Sequence, residues 1–164
     1  MEAPSFTLAS DWHESDGNAC CVDIVPGIVV VGTDTGMVHV YTYGSGSNNL
    51  LRPYITVPPP PSPGMSVATC KITIGPDKAS IFVSYKRAAN ASSPRSNVGV
   101  CCYDIPLPGP NPTNLSAPSA RYDLDGRYVQ SSALCDAVKT DKETFFTVVS
   151  GLSNRTFESL ILSI

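Results

Sequence analysis

Apolar residues occur along this chain in short runs that are separated by turn-forming residues. Fifteen prolines and twelve glycines divide the chain into runs of about five to nine residues, the usual length of a strand. The runs are rich in Val, Ile, Tyr, Phe and Thr, which suit a pleated, half-buried surface. Because Pro or Gly interrupts every window with apolar residues at helical spacing, the pattern predicts an all-β protein with antiparallel sheets.

Residues 19–43 carry the clearest example, and they predict an antiparallel meander of three strands. The second strand, Ile28–Thr33, is almost continuously apolar, as expected for a strand that is buried on both faces. The turn Asp34-Thr35-Gly36 follows it, and Gly36 can supply the positive φ of a tight hairpin. The segment therefore predicts the inner part of a small sheet.

The same order of strands recurs, so the chain divides into three units at residues 19–57, 67–124 and 132–164. The first strand of each unit carries a cysteine at an equivalent position. Repeated four-stranded units are typical of β-propeller blades, because one small sheet cannot cover both of its faces alone. The cysteines are Cys21, Cys70 and Cys135. The predicted strands of the first unit are 19–24, 28–33, 37–43 and 54–57, and those of the second unit are 67–74, 80–86, 98–105 and 120–124. The third unit has predicted strands at 132–138, 145–150 and 157–164.

This repeat predicts a single partial β-propeller domain over residues 1–164, with about two and a half antiparallel four-stranded blades. A propeller closes with about four blades or more. We therefore expect the remaining blades to come from a longer chain, of which this is a fragment, or from a partner. The segment Phe6–Trp12 is predicted to add an outer strand to the last blade.

A family resemblance rests on residues 32–41, which read GTDTGMVHVY. They resemble the second hairpin of a WD40-type blade, in which a Gly-x-x-Asp/Thr-Gly turn precedes a Val-x-Val-Trp/Tyr strand. The Gly-His pair and the terminal Trp-Asp of that family are missing, and either Tyr43 or Tyr103-Asp104 stands near the place of the latter. Residues 131–136, after 121–125, look like a blade junction in the N-terminal propellers of the class C vacuolar-sorting tethers. The resemblance implies a degenerate WD40-like propeller in a vesicle-tethering scaffold, without the helical solenoid that follows it there.

No catalytic, cofactor-binding or metal-binding residues are predicted. The sequence has no P-loop, no dinucleotide-binding glycine turn and no G-x-S-x-G elbow. The adjacent pairs Cys20-Cys21 and Cys101-Cys102 lack the spacing of a zinc site, so the cysteines are interpreted as small buried hydrophobes. His39 has no nucleophile or carboxylate pattern around it and is interpreted as a packed or solvent-facing strand residue.

Charge and hydropathy limit the classes of partner that the chain can bind. The net charge is −3, and the 11 Lys and Arg residues are scattered, so no nucleic-acid partner is predicted. No apolar stretch is long enough to span a membrane as a helix. We recognise no secretory signal, which favours a cytoplasmic location. The repeated units without site chemistry favour a protein that binds other proteins. Ser93-Pro94 is a candidate phosphorylation site in a loop rich in Ser, Asn and Pro.

Three functions follow from these observations. The leading one is a non-enzymatic, WD40-like protein-interaction platform in a vesicle-trafficking scaffold. The alternative is an extracellular or lumenal β-sandwich binding domain with disulfides and glycans, because six cysteines and three Asn-x-Ser/Thr sequons, at Asn90, Asn114 and Asn154, are present. The third is an enzyme whose site is completed by further blades.

Overall fold

The computed structural model describes residues 7–8, 12–44, 50–59, 64–75, 78–87, 98–107, 120–123, 129–134, 138–139, 144–152 and 157–163. Within these ranges the chain is mostly strand, with one turn of 3-10 helix at Glu14–Asp16 and no α-helix. The prediction of an all-β protein with antiparallel sheets is confirmed.

The described residues form thirteen strands, and their bounds agree closely with the predicted runs. In chain order they are β1 (Thr7–Leu8), β2 (Ala19–Val25), β3 (Ile28–Thr33), β4 (Val38–Thr42), β5 (Leu50–Val57), β6 (Met65–Ile74), β7 (Lys78–Arg87), β8 (Val98–Pro106), β9 (Ala120–Asp123), β10 (Val129–Leu134), β11 (Val138–Lys139), β12 (Thr144–Leu152) and β13 (Phe157–Ser163).

The first sheet is a meander of β2, β3, β4 and β5, with each strand antiparallel to the next. Strand β1 lies beside β5 in parallel, with Thr7 opposite Leu50, so the strand order is β1-β5-β4-β3-β2. The prediction that Phe6–Trp12 adds a strand to the last blade is wrong, because this strand pairs with the first sheet. Strand β2 forms one edge of that sheet.

A second meander consists of β6, β7, β8 and β9, again antiparallel throughout. Strand β7 also meets β10 in parallel at a single position, Lys86 opposite Val129. Strands β10, β11 and β13 all pair with β12 and form the third unit. The single first strand predicted at 132–138 is therefore wrong in its bounds, because β10 and β11 share that place. Cys135 lies outside the described residues.

The first sheet packs face to face with the second meander around one hydrophobic core. Alternate residues of each strand point into it, because side chains alternate between the two faces of a sheet. Each fully buried Val or Ile contributes about 1.5–3 kcal/mol relative to an exposed one. The core residues are Ile28, Val30, Val38, Val40, Ile55 and Val57 from the first sheet, with Met65, Val67, Cys70, Ile72, Ala79, Ile81, Val83, Tyr85, Cys101, Tyr103 and Ile105 from the second meander.

The far face of the second meander is buried as well. Phe82 and Ser84 point away from the shared core, and both are 0% exposed. Val100 and Cys102 of β8 are also buried, and β10 runs beside β6 and β7. This face is buried at its middle, and around it lie the half-buried polar residues Thr69, Lys71, Ser80 and Asp104.

The two sheets approach most closely where β2 and β3 meet β6. A Cβ atom on Gly32 would lie 2.5 Å from Val67 Cγ1 and 2.7 Å from Cys21 Sγ. Glycine at this position therefore allows the close approach of the two sheets. The Ile72 backbone N–H donates a hydrogen bond of 2.8 Å to Asp23 Oδ2, which joins the two edge strands.

Candidate functional site

The side of the first sheet that faces away from the second meander is the candidate site, and we call it the outer face. Residues opposite one another in an antiparallel pair share a face, so the strand register defines it. Its two rows across β2, β3, β4 and β5 are Val22, Val31, His39 and Thr56, and then Ile24, Val29, Tyr41 and Pro53.

The outer face is apolar, and its β2 edge is open to solvent. Val22 is 60% exposed and Ile24 is 46% exposed. Further into the sheet, Val29, Tyr41 and Leu51 are buried in a small cluster that Trp12 and Tyr43 help to cover. Two adjacent, exposed β-branched side chains on an edge strand, continuous with a buried apolar cluster, are typical of a surface that another protein covers.

Trp12 is fixed at one end of the outer face. Its indole Nε1–H donates a hydrogen bond of 2.6 Å to the Gly17 carbonyl oxygen. The ring lies edge-on to His39, with 5.1 Å between ring centroids. Gly17 has a φ of +78°, which glycine adopts without strain. The sequence predicted no role for Trp12 on this face, and the available signal was that it is the only tryptophan of the chain.

The turn between β3 and β4 is tied to residues 16–18. Asp34 accepts hydrogen bonds of 2.8 Å from both the backbone N–H and the side-chain amide of Asn18, and these bonds lower the pKa of Asp34. Thr35 Oγ1 donates a hydrogen bond of 2.9 Å to the Asp16 carbonyl oxygen. Gly36 has a φ of +85°, which confirms the predicted hairpin glycine.

An open cleft lies beside this corner. It has a volume of about 480 Å³ and is lined by Trp12, Gly17, Asn18 and Ala19. The cleft places an indole face beside polar backbone and amide groups, the combination found in pockets that bind specific groups. The cleft extends the candidate site from the outer face to the turn between β3 and β4.

His39 is a packed strand residue and is 7% exposed. Its Nδ1 atom lies 3.3 Å from Thr56 Oγ1. In the described part of the chain, Nε2 is buried without a hydrogen-bond partner. Burial lowers the pKa of His39, and the charge of Asp16 opposes that shift. The arrangement keeps the imidazole neutral and favours a packing role.

Lowering the pH from about 7.5 to about 5.5 is expected to reduce the free energy of unfolding through His39. Since burial holds the pKa of His39 below its ordinary value of 6.5, the unfolded chain binds a proton more readily than the folded chain. Stability is therefore complete above pH 6.5 and falls below it by at most about 1.4 kcal/mol per pH unit. Urea unfolding at several pH values measures the slope. His39→Gln should reduce the slope and a His13→Gln control should not; equal slopes in the two variants would contradict the assignment.

The five described cysteines are all in the thiol form. Cys70, Cys101 and Cys102 are buried, as predicted. Cys20 is exposed, so its interpretation as a buried hydrophobe is wrong, because it lies on the solvent side of an edge strand. Among the described residues, no group of three His, Cys, Asp or Glu side chains is placed to hold a metal ion.

Tyr103 and Asp104, one of the two places that the sequence resemblance offers for a terminal Trp-Asp pair, have structural contacts. The Tyr103 hydroxyl lies 3.3 Å from that of Tyr85 inside the core. Asp104 accepts hydrogen bonds from Lys78 Nζ at 2.5 Å and from Ser80 Oγ at 2.7 Å. These contacts join β7 to β8 across the meander.

Other predicted features lie outside the described residues. They are the three sequons at Asn90, Asn114 and Asn154 and the candidate phosphorylation site at Ser93. In the described part of the chain, no helix has the length and apolar character needed to cross a membrane.

Comparison of the chain with protein-family models, with curated proteins and with solved structures finds no match in any of the three. The packing of the sheets and the outer face are therefore the basis on which a function can be proposed.

Proposed function

We propose that this chain forms part of a degenerate WD40-like β-propeller that acts as a non-enzymatic protein-interaction platform. In this proposal it belongs to a cytoplasmic vesicle-tethering scaffold, and further blades from a longer chain or a partner complete the ring. The observation that carries the proposal is the open, apolar outer face of the first sheet.

The order of the sheets supports the assignment of blades. Two consecutive four-stranded meanders stack with their first strands, β2 and β6, side by side. Equivalent residues of the two repeats meet there, since Cys21 Sγ lies 3.2 Å from Cys70 Sγ. First strands that adjoin one another from sheet to sheet are expected when blades are arranged around a common axis.

The burial pattern supports a missing neighbour. Phe82 and Val100 are buried on the far face of the second meander, whereas Val22 and Ile24 are exposed side by side on the outer face of the first sheet. Because adjacent exposed hydrophobic side chains on an edge strand favour aggregation, a further sheet that covers them would stabilise the fold. The outer face is therefore the proposed docking surface for the next blade.

The experiment uses two lysine variants of a tagged chain in cells. The double variant Val22→Lys, Ile24→Lys places charges on the outer face, and Ile74→Lys is the control because Ile74 is 41% exposed on another strand. Quantitative mass spectrometry measures the recovery of class C vacuolar-sorting subunits with each chain. We expect at least a tenfold loss for the double variant, equivalent to about 1.4 kcal/mol of binding free energy, and no loss for the control. Equal recovery with both variants, or no recovery with the unmodified chain, would contradict the proposal.

The second candidate function is a lumenal or extracellular β-sandwich, because two sheets that share one core also form a sandwich. That candidate requires glycans on the sequons and stable disulfides. Intact-mass and peptide analysis of the chain from eukaryotic cells distinguishes the two: unmodified Asn90, Asn114 and Asn154 with six thiols exclude the sandwich, and glycosylated sequons exclude the cytoplasmic platform.

A further inference from the structure

Two thiols face each other across the interface of the first sheet and the second meander. Cys21 of β2 and Cys70 of β6 are 49 positions apart in the chain, and their Sγ atoms lie 3.2 Å apart. A disulfide bond has an S–S length of about 2.05 Å, so a movement of about 1 Å would bring the sulfurs to bonding distance. The pair is therefore within reach of a covalent link between the two sheets.

Neighbouring contacts hold the pair in place. The hydrogen bond from the Ile72 backbone N–H to Asp23 Oδ2, at 2.8 Å, lies two residues further along each strand. Gly32 has no side chain to separate the sulfurs, and its missing Cβ would lie 2.7 Å from Cys21 Sγ. The closest approach of the two sheets thus coincides with the two cysteines.

The two sulfurs differ in access and acidity. Cys21 is half-buried on an edge strand, whereas Cys70 is 6% exposed. The hydrogen bond with Cys70 lowers the pKa of Cys21, against the effect of burial. The same hydrogen bond, and then burial, raise the pKa of Cys70. Because the thiolate is the nucleophile in disulfide exchange, Cys21 is placed to react first.

We infer that Cys21 and Cys70 are a reversible redox site, and that a small-molecule disulfide converts them into an inter-sheet disulfide. The Cys21 thiolate attacks one sulfur of oxidised glutathione, whose S–S bond breaks and releases one glutathione thiolate. Cys70 then loses its proton and attacks Cys21 Sγ, which expels the second glutathione thiolate. Two protein thiols lose two electrons and two protons, and one glutathione disulfide becomes two thiols.

The disulfide would link β2 to β6, the first strands of two successive units, at the point where they meet. A bond between Cys21 and Cys70 closes a loop between residues that are 49 positions apart. A loop of that length strongly reduces the conformational entropy of the unfolded chain. The inference does not depend on the proposed platform function, because it concerns the joint between the first sheet and the second meander in either candidate fold.

The test treats the full chain with oxidised glutathione and follows thiols, peptides and thermal unfolding. We expect two of the six thiols to be lost, a non-reduced peptide that links Cys21 to Cys70, and a melting temperature higher by roughly 5–15 °C. Dithiothreitol should reverse all three changes. Cys21→Ser and Cys70→Ala should abolish the temperature shift, and Cys20→Ser should retain it.

Mass spectrometry of the unmodified chain gives an independent result if a variant fails to fold. Glutathione that remains as a mixed disulfide on the exposed Cys20 or on Cys21, without the link to Cys70, would overturn the inference. A link between Cys20 and Cys21, or an oxidised chain with an unchanged melting temperature, would also overturn it.

Discussion

Phe82→Ala is expected to lower the free energy of unfolding by about 4 kcal/mol. Phe82 is 0% exposed and lies on the face of the second meander that points away from the first sheet. Truncation would remove a large apolar side chain and leave a cavity on this face. The cost should be similar to that of Tyr85→Ala on the opposite face, because both side chains are 0% exposed.

Urea unfolding followed by far-UV circular dichroism measures this difference. Fluorescence of Trp12, the only tryptophan, reports on the first sheet in the same samples, and coincident transitions would justify a two-state analysis. Ile74→Ala is the control, since Ile74 is 41% exposed and should cost less than about 1 kcal/mol. A cost below about 1 kcal/mol for Phe82→Ala would mean that solvent reaches the far face of the second meander.

Gly32→Ala is expected to lower the free energy of unfolding by about 2 kcal/mol, in spite of the higher strand propensity of alanine. The new methyl group would lie 2.5 Å from Val67 Cγ1 and 2.9 Å from Val67 Cβ, so the two sheets would have to separate. Gly44→Ala is the matched control, because a Cβ on Gly44 meets nothing within 4 Å. It should change stability by less than about 0.5 kcal/mol.

A double-mutant cycle with Val67→Ala isolates the contact. Removal of both Val67 methyl groups eliminates the contact at 2.5 Å and leaves those with the Cβ of residue 67 at 2.9 Å and with Cys21 Sγ at 2.7 Å. The combined cost should therefore be smaller than the sum of the two single costs by about 1 kcal/mol. The same unfolding experiment measures all three variants. Additive costs would show that Gly32 is constrained by something other than Val67.

Hydrophobic patterning predicted the strands well where local sequence decides them. Strand β3 has the predicted bounds, Ile28–Thr33, because a continuous aliphatic run between turn residues has one compatible structure. Strand β5 begins four residues earlier than predicted, at Leu50 rather than Tyr54. Proline is usually excluded from strands, and here Pro53 is accommodated at an irregularity in the pairing with β4.

Pairing between distant segments could not be predicted from the pattern. Strand β1 is only two residues long, and its parallel partner is β5 rather than a strand of the last unit. Parallel neighbours are set by tertiary packing, which short-range periodicity does not encode. The first strand of the third unit was predicted as one strand, whereas the structure has two strands there, β10 and β11. Both pair with β12, and the periodicity of the segment does not encode that pairing.

The candidate site was predictable only in part. The alternation of Val22, Ile24 and the residues beside them marks an apolar face, but sequence alone does not say which face has a partner. The equivalence of Cys21 and Cys70 was visible in the repeat, whereas their approach to 3.2 Å depends on how the two sheets stack. Gly32 gave the signal for that stacking, because glycine within a strand often marks a close backbone approach.

Electron cryo-microscopy of the tagged chain in its native assembly tests most directly what covers Val22 and Ile24. We expect another antiparallel sheet about 10 Å from the first sheet, packed on the outer face. Solvent over both side chains, with the first sheet and the second meander forming a complete two-sheet sandwich, would contradict it.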